Sequence, residues 1–92
     1  GGGLMGNIPR ILPQGLAAYL HKNSWDISSI FKLIQEKGNI EEAEMYQVFN
    51  MGIGMVVICS PQQVSKLAAA LPQAKVIGEV MKAKGEERVI ID

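Results

Sequence analysis

The sequence predicts an α+β fold in which a mixed or antiparallel sheet is covered by helices on one face. Three observations favour this class. Short apolar runs of strand length occur near both ends of the 92 residues, segments with helix start and stop signals lie between them, and 48% of the residues are hydrophobic. A chain of this length buries about 60% of the surface of its unfolded state. We therefore expect one domain, without a linker or an internal repeat.

Three consecutive glycines, Gly1 to Gly3, open the sequence. Glycine loses the most backbone entropy on folding, so a triplet favours a place where side chains would obstruct something. Asn7 suits a helix N-cap and Pro9 suits a first turn, which predicts a short helix from near Ile8. Unpaired N–H groups before a helix suit a phosphate, and Arg10 could add charge-assisted hydrogen bonds. A flexible or added tail is the alternative, because no strand precedes the glycines.

The next two segments differ in how clearly they predict a structure. The run from Leu16 to Leu20 is apolar, but it is too short for its periodicity to decide between helix and strand. From Ile27 to Ile34, apolar residues recur at helical spacing, which predicts a helix with Asp26 as N-cap and Gly38 at its end. We expect this helix to cover a sheet, and an aromatic platform for a cofactor is the alternative.

A further helix is predicted from the capping pair Asn39 and Glu42 to about Phe49. Several carboxylates lie in its first turns. Carboxylates at this place are typical of helix capping, and no histidine or aspartate stands beside them at the spacing of metal ligands. The sequence therefore predicts no metal site here.

A glycine-rich run follows that helix. Asn50 suits the left-handed conformation at a helix end. Gly52 and Gly54 lie two residues apart, so on a strand these two positions without a side chain would lie on the same face, which is then a bare face. A bare face allows the close approach either of a packed helix or of a ligand, and the residues alone leave both interpretations open.

The second half of the sequence predicts a central strand, a helix and a hairpin. Met55 to Cys59 is apolar without alternation, which indicates a central strand buried on both faces, with Cys59 as an inert core thiol rather than a catalytic one. A helix begins at Ser60 and buries an apolar stripe as far as Leu71. The segments Ala74 to Met81 and Arg88 to Ile91 then read as an antiparallel hairpin.

Charge and cysteine content exclude several classes of function. Nine basic and nine acidic residues cancel, so the sequence has no electrostatic signature of nucleic-acid binding or of an anionic membrane surface. No apolar run reaches the roughly 20 residues of a membrane span. A single cysteine without a disulfide partner favours a reducing, cytoplasmic setting. His21, the only histidine, is expected to be a solvated turn residue.

Three segments carry a resemblance to a known family. The segments GGGLMGNIPRILPQGL, SWDISSIFKLIQEKG and EEAEMYQVFNMGIGMVV resemble the C-terminal half of the phosphoribosylformylglycinamidine cyclo-ligases, also called aminoimidazole ribonucleotide synthetases. The resemblance covers nearly the whole chain in one register, and it implies a strand at Leu16 to Leu20. In that family a strand with His-Ile-Thr precedes the glycines, and this sequence does not include it. Since position 1 is not methionine either, we expect a larger parent protein.

The resemblance implies a reaction, and it implies that ATP and the substrate are bound mainly by different halves of the enzyme. Family members use ATP to activate the formyl oxygen of formylglycinamidine ribonucleotide, and an internal nitrogen closes the imidazole ring. ATP and Mg²⁺ are expected mainly on the N-terminal half, which would be this chain's partner in a homodimeric enzyme, with neither bound by these 92 residues. No catalytic residue is assigned. The residues expected to bind the substrate are Gly1, Gly2, Gly3, Asn7, Arg10, Asn50 and Gly52.

Two alternatives differ in what they predict. Other ATP-dependent enzymes share this half, among them selenophosphate synthetases, thiamine-phosphate kinases and formylglycinamidine synthetases, but they usually differ around the glycines. A stand-alone module that binds a phosphorylated metabolite without chemistry would have a polar surface throughout. A domain that belongs to a larger enzyme would instead expose an apolar patch where the companion part docks.

Overall fold

The computed structural model describes residues 2–92, so the expectation for Gly1 lies outside the described residues. The helices are α1 (Gly3–Asn7), α2 (Ser29–Gly38), α3 (Glu42–Val48) and α4 (Val64–Ala70), and the strands are β1 (Leu16–Leu20), β2 (Gly78–Lys82) and β3 (Val89–Ile91). Short 3-10 helices occupy Ile8–Ile11, Lys22–Ser24 and Pro61–Gln63. Helices and strands do not alternate regularly, and the predicted α+β class is confirmed.

The sheet is mixed, and its strand order is β2-β1-β3. Strand β1 is antiparallel to β2, with Leu16 opposite Lys82, and parallel to β3, with Ala18 opposite Val89. The strand at Leu16–Leu20 is therefore confirmed, but the hairpin predicted between the last two strands is wrong. Both strands pair with β1, and residues 83–88 cross from one edge of the sheet to the other. Local turn signals could not reveal a central strand that comes from the start of the chain.

The core lies between the sheet and the N-terminal helices. Side chains on one face of β1, at Ala18 and Leu20, pack against residues of α1, the following 3-10 helix and α3. The buried cluster consists of Leu4, Ile8, Leu12, Ala18, Leu20, Trp25, Met45, Tyr46, Met51 and Val89. Met45 is completely buried, at 0% exposure. None of the buried residues comes from α4 or β2, so the described core belongs to residues 4–51 and to Val89 of β3.

The ends of α2 and α3 differ from the sequence prediction. Helix α2 begins at Ser29, with Ser28 at the N-cap position, so the assignment of Asp26 as N-cap is wrong. Asn39 adopts the left-handed conformation with φ 50° and ends α2, whereas it was expected to start α3. Helix α3 begins at Glu42 after Glu41. Asparagine tolerates the left-handed region, so the same residue type serves helix ends as well as helix starts.

The predicted central strand from Met55 to Cys59 is wrong. This run forms neither strand nor helix, Met55 is 85% exposed and Cys59 is exposed. Among residues 2–92, none from 54 to 59 makes a backbone–backbone hydrogen bond. The apolar stripe of α4 also stays open, with Leu71 exposed at its end. The pattern predicted burial, but the described residues supply no neighbouring strand for this run.

Within the described range, no helix is both long enough and apolar enough to cross a bilayer.

Candidate functional site

The glycines at the start of the chain begin α1. Gly2 and Gly3 have φ angles of 98° and 57°, in the left-handed region that favours glycine. A Cβ on Gly3 would lie 2.5 Å from the carbonyl oxygen of Phe49 and 2.6 Å from that of Tyr46. Gly3 is therefore required by the close packing of α1 against the end of α3. This is a structural reason that differs from the clearance for a phosphate expected from the sequence.

Asn7 and Arg10 are placed differently from the prediction. Asn7 is the last residue of α1, because the helix begins at Gly3 and not near Ile8. Its Nδ2 donates a hydrogen bond to the carbonyl oxygen of Gly3 over 2.8 Å, and this bond spans the whole helix. Arg10 lies in the last turn of the following 3-10 helix and is exposed.

A cleft of about 560 Å³ lies between α1, the end of α3 and the segment that follows α3. Its walls bring together residues of all three sequence segments that carry the family resemblance. The lining residues are Gly3, Leu4, Asn7, Ile8, Ile11, Phe31, Val48, Phe49, Asn50, Ile53, Gly54, Met55 and Val56. None of these residues is charged. The side-chain amides of Asn7 and Asn50 are therefore the strongest hydrogen-bonding groups on side chains that line the cleft.

The turn after α3 is built by Asn50 and Gly52. The Oδ1 of Asn50 accepts a hydrogen bond of 2.9 Å from the backbone N–H of Gly52. Met51 and Gly52 have positive φ angles of 54° and 95°, so this run is a tight turn, and the expected strand with two bare glycines is wrong. Met51 is buried, and its carbonyl oxygen accepts a hydrogen bond from Nε1 of Trp25 over 3.1 Å. The turn is thereby fixed to the core.

The structure thus unites part of the predicted site. Gly3, Asn7 and Asn50 share one cleft, and Gly2 adjoins Gly3 in the chain. Arg10 and Gly52 are not among the lining residues. The cleft consequently offers amide and backbone groups, and the guanidinium of Arg10 is not part of its lining.

The sequence analysis missed the apolar part of the lining. Phe31 and Phe49 meet edge to face, with ring centroids 6.0 Å apart and an angle of 61° between the ring planes. Ile11 and Met55 are largely exposed although they are apolar. Helical spacing marks such residues as core, and no local signal separates a cleft wall from a buried face.

The described residues contain no catalytic or metal-binding constellation at this cleft. No nucleophile or titratable side chain lines it. Between residues 2 and 92, no group of three or more histidine, cysteine, aspartate or glutamate side chains could hold a metal ion. The arrangement can bind and orient a ligand, and it offers no group for proton transfer.

His21 belongs to a separate polar cluster at the end of β1. Its Nε2 lies 3.1 Å from Oε2 of Glu79, and its Nδ1 lies 3.3 Å from Oδ1 of Asp92. Hydrogen bonds to Glu79 first and Asp92 second, with the negative charge of Glu79, raise the pKa of His21. The expected exposure of His21 is confirmed, and the sequence did not reveal its two partners. The neighbouring Lys22 pairs with Glu42, which raises the pKa of this lysine.

The fold and the cleft together define a small α+β domain with an uncharged cleft that, in the described part, lacks catalytic groups. The chain belongs to the family of AIR synthase related proteins, C-terminal domain, whose family model matches residues 1–91. The resemblance seen in the sequence is therefore confirmed.

Three similar proteins carry the same name, phosphoribosylformylglycinamidine cyclo-ligase. The chain is 53% identical over 89 residues to the enzyme of Thermoanaerobacter sp. (strain X514), and the match covers 92% of this chain and 26% of the relative. The cyclo-ligase of Caldicellulosiruptor bescii is 47% identical over 95 residues, with 99% and 27% covered. That of Enterococcus faecalis is 46% identical over 84 residues, with 91% and 24% covered. The chain thus spans about a quarter of the length of these relatives.

Proposed function

We propose that this chain is the substrate-holding part of the C-terminal domain of an ATP-dependent cyclo-ligase. The whole enzyme would close the imidazole ring of aminoimidazole ribonucleotide from formylglycinamidine ribonucleotide in purine biosynthesis. The observation that carries the proposal is the cleft, because it brings Gly3 and Asn7 of the glycine-rich segment beside Asn50 of the second family segment. The family match and the cyclo-ligase relatives support the same reading.

The cleft would act by binding and orientation. An asparagine amide both donates and accepts hydrogen bonds, so Asn7 and Asn50 suit the amide and hydroxyl groups of a nucleotide. The uncharged lining favours the neutral part of the substrate. Its phosphate would be held outside the lining, by Arg10. Gly1, Gly2 and Gly52 belong to the proposed site because they are close in sequence to the lining residues Gly3 and Ile53. Holding reacting groups in a fixed geometry lowers the entropic part of the barrier without any chemical group from the protein.

ATP and Mg²⁺ are proposed to bind mainly outside these residues. Activation of the formyl oxygen in the whole enzyme would draw on ATP. Mg²⁺ prefers carboxylate and phosphate oxygens, and the described lining of the cleft provides no carboxylate. The lining therefore suits formylglycinamidine ribonucleotide better than it suits ATP with Mg²⁺.

An exposed apolar surface supports a companion part that covers the cleft. The large hydrophobic residues that are exposed are Ile11, Ile30, Leu33, Val48, Met55, Val57, Ile58, Leu71, Val76 and Met81. Met55, Val57 and Ile58 are exposed within one continuous run, and such apolar surface favours an interface over a stand-alone polar module. We propose that the rest of a longer cyclo-ligase packs here, and a homodimeric, cytoplasmic enzyme belongs to the same proposal.

A chimera tests the proposed function. Residues 1–92 replace the matching quarter of the Thermoanaerobacter enzyme, and ADP release is measured with and without formylglycinamidine ribonucleotide. We expect an active chimera, in which Asn7→Ala or Asn50→Ala raises KM for this substrate about tenfold, because each removes one binding amide. Asn23→Ala is the matched control, since Asn23 is exposed and lies outside the cleft.

Three results would contradict the proposal. An inactive chimera that folds would remove the assignment to the cyclo-ligases. An unchanged KM in both asparagine variants would leave the enzyme class standing but would remove the cleft from substrate binding. ADP release by the 92-residue chain alone would show that the assignment of ATP binding to the rest of the enzyme is wrong.

The companion part can be tested through Cys59. The exposed thiol should react with an alkylating reagent in the 92-residue chain. In the chimera, packing of the remaining enzyme over Met55 to Cys59 should slow the reaction about tenfold or more, because reaction requires access to the thiol. Equal rates in both proteins would contradict coverage of this run.

A further inference from the structure

Arg88 makes three hydrogen bonds to one connection of the backbone. Its Nε donates to the carbonyl oxygen of Leu16 over 2.9 Å, and its Nη2 donates to the carbonyl oxygens of Leu12 and Pro13 over 3.0 Å and 2.9 Å. The residue is half-buried and immediately precedes β3. In the described part of the chain, no carboxylate pairs with it. The guanidinium therefore serves the backbone of a distant segment.

The connection held by Arg88 leads directly into a wall of the cleft. It joins the 3-10 helix Ile8–Ile11 to β1, and the N–H of Leu12 donates to the carbonyl oxygen of Pro9 over 3.3 Å. Ile8 and Ile11 line the cleft. A shift of the connection consequently moves this wall.

The other end of the same wall has its own anchor. Gly3 packs against the carbonyl oxygens of Tyr46 and Phe49, and this contact leaves no room for a side chain. The segment that carries Asn7 is thus held at its start by α3 and at its end by Arg88. Only the second anchor depends on a side chain that lies outside the cleft.

We propose that Arg88 is a positioning residue for substrate binding: it fixes the wall that carries Asn7 against the wall that carries Asn50. This inference rests on the proposed function. The planar guanidinium directs several N–H groups in fixed directions, so it can satisfy three carbonyl oxygens at once. A lysine ammonium keeps the charge, but it lacks this planar arrangement of donors.

The test is a comparison of two Michaelis constants in the active chimera. Arg88→Lys should raise KM for formylglycinamidine ribonucleotide about tenfold, because a displaced wall orients the substrate poorly, while KM for ATP stays unchanged. A merely structural role would lower the amount of folded enzyme, and with it the apparent kcat, and would leave both constants unchanged. Lys84→Gln, in the same connection between β2 and β3, is the control for loss of an exposed cation.

Failure of this inference can be distinguished from failure of the proposed function. If the unaltered chimera is inactive, the proposed function fails first, and the positioning role fails with it. If the chimera is active and Arg88→Lys leaves both constants unchanged, only the positioning role is overturned. Arg88→Gln is measured as a second variant, and loss of the fold in both variants would also overturn the inference, because Arg88 would then support the whole fold.

Discussion

Met45 and Met55 are the same residue type ten positions apart, yet they are 0% and 85% exposed. Met45 lies on α3 and belongs to the buried cluster, to which α1, β1 and β3 also contribute residues. Met55 lies in a run without secondary structure and without backbone hydrogen bonds among the described residues. An apolar sequence pattern predicts burial, but a residue is buried only where neighbouring elements pack around it.

The two regions around these methionines differ in the same way. The closed region comprises α1, β1, α3, β2 and β3, and it contributes most of the buried core. The open region, residues 53–77, contains Val57 and Val76, which are 56% and 66% exposed. If the rest of a longer cyclo-ligase covers the open region, its apolar residues are core residues of that larger protein.

The largest expected effect comes from truncating the two methionines. Met45→Ala should lower the free energy of unfolding of the chain by about 2–5 kcal/mol, because it leaves a cavity in a filled core. Met55→Ala should change it by less than about 0.5 kcal/mol, since the side chain is already in water. Urea unfolding followed by circular dichroism measures both. Equal losses would show that the open region is packed in solution.

A glycine pair gives a smaller effect of the same kind. Gly3→Ala should destabilise the chain by about 1–3 kcal/mol, because Gly3 has a positive φ and a Cβ would meet carbonyl oxygens at the end of α3. Gly54→Ala is the matched control, since no atom lies within 4 Å of the position of its Cβ. Thermal unfolding compares the two variants. A tolerated alanine at position 3 would contradict the close packing of α1 against α3.

The smallest effect is expected at the edge of the closed region, where His21 meets Glu79 and Asp92. The pKa of His21 is raised in the folded chain, so its contribution to stability is complete below the unfolded pKa of about 6.5 and is lost as the pH rises through the higher folded value. His21→Gln should therefore destabilise the chain more at about pH 6 than at about pH 9.

Denaturant midpoints at the two pH values measure this difference. Lys37→Gln is the control, since this exposed lysine forms no ion pair among the described residues. A larger loss at the higher pH would reverse the sign and contradict the role of the two carboxylates.

Much of the secondary structure could be predicted from the sequence, and its pairing could not. The amphipathic spacing from Ile27 to Ile34 predicted α2, which begins two residues later, at Ser29, and the family resemblance favoured the strand at Leu16–Leu20. The hairpin failed because pairing of the last two strands was argued from their closeness in sequence, while β1 came between them. Long-range partners leave no signal in a local window.

The candidate site was predicted in part for a related reason. Asn7 and Asn50 stood out because they belong to two motif segments, and the structure brings both to one cleft. The packing role of Gly3 was not predicted, because the sequence could not show the carbonyl oxygens at the end of α3. Arg88 was predicted only as the first residue of the last strand, since a lone arginine at a strand end is typical of an ordinary surface charge.

The strand order has a consequence for the synthesis of the chain. The middle strand of the sheet, β1, is made early, whereas both of its flanking strands come from the last residues. On the ribosome, β1 must wait for β2 and β3 while residues 21–77 are translated, and closing so long a loop makes this pairing slow. Premature termination near Gly85 would remove β3 and Arg88 together. The truncated product would expose the edge of β1 that β3 otherwise pairs with.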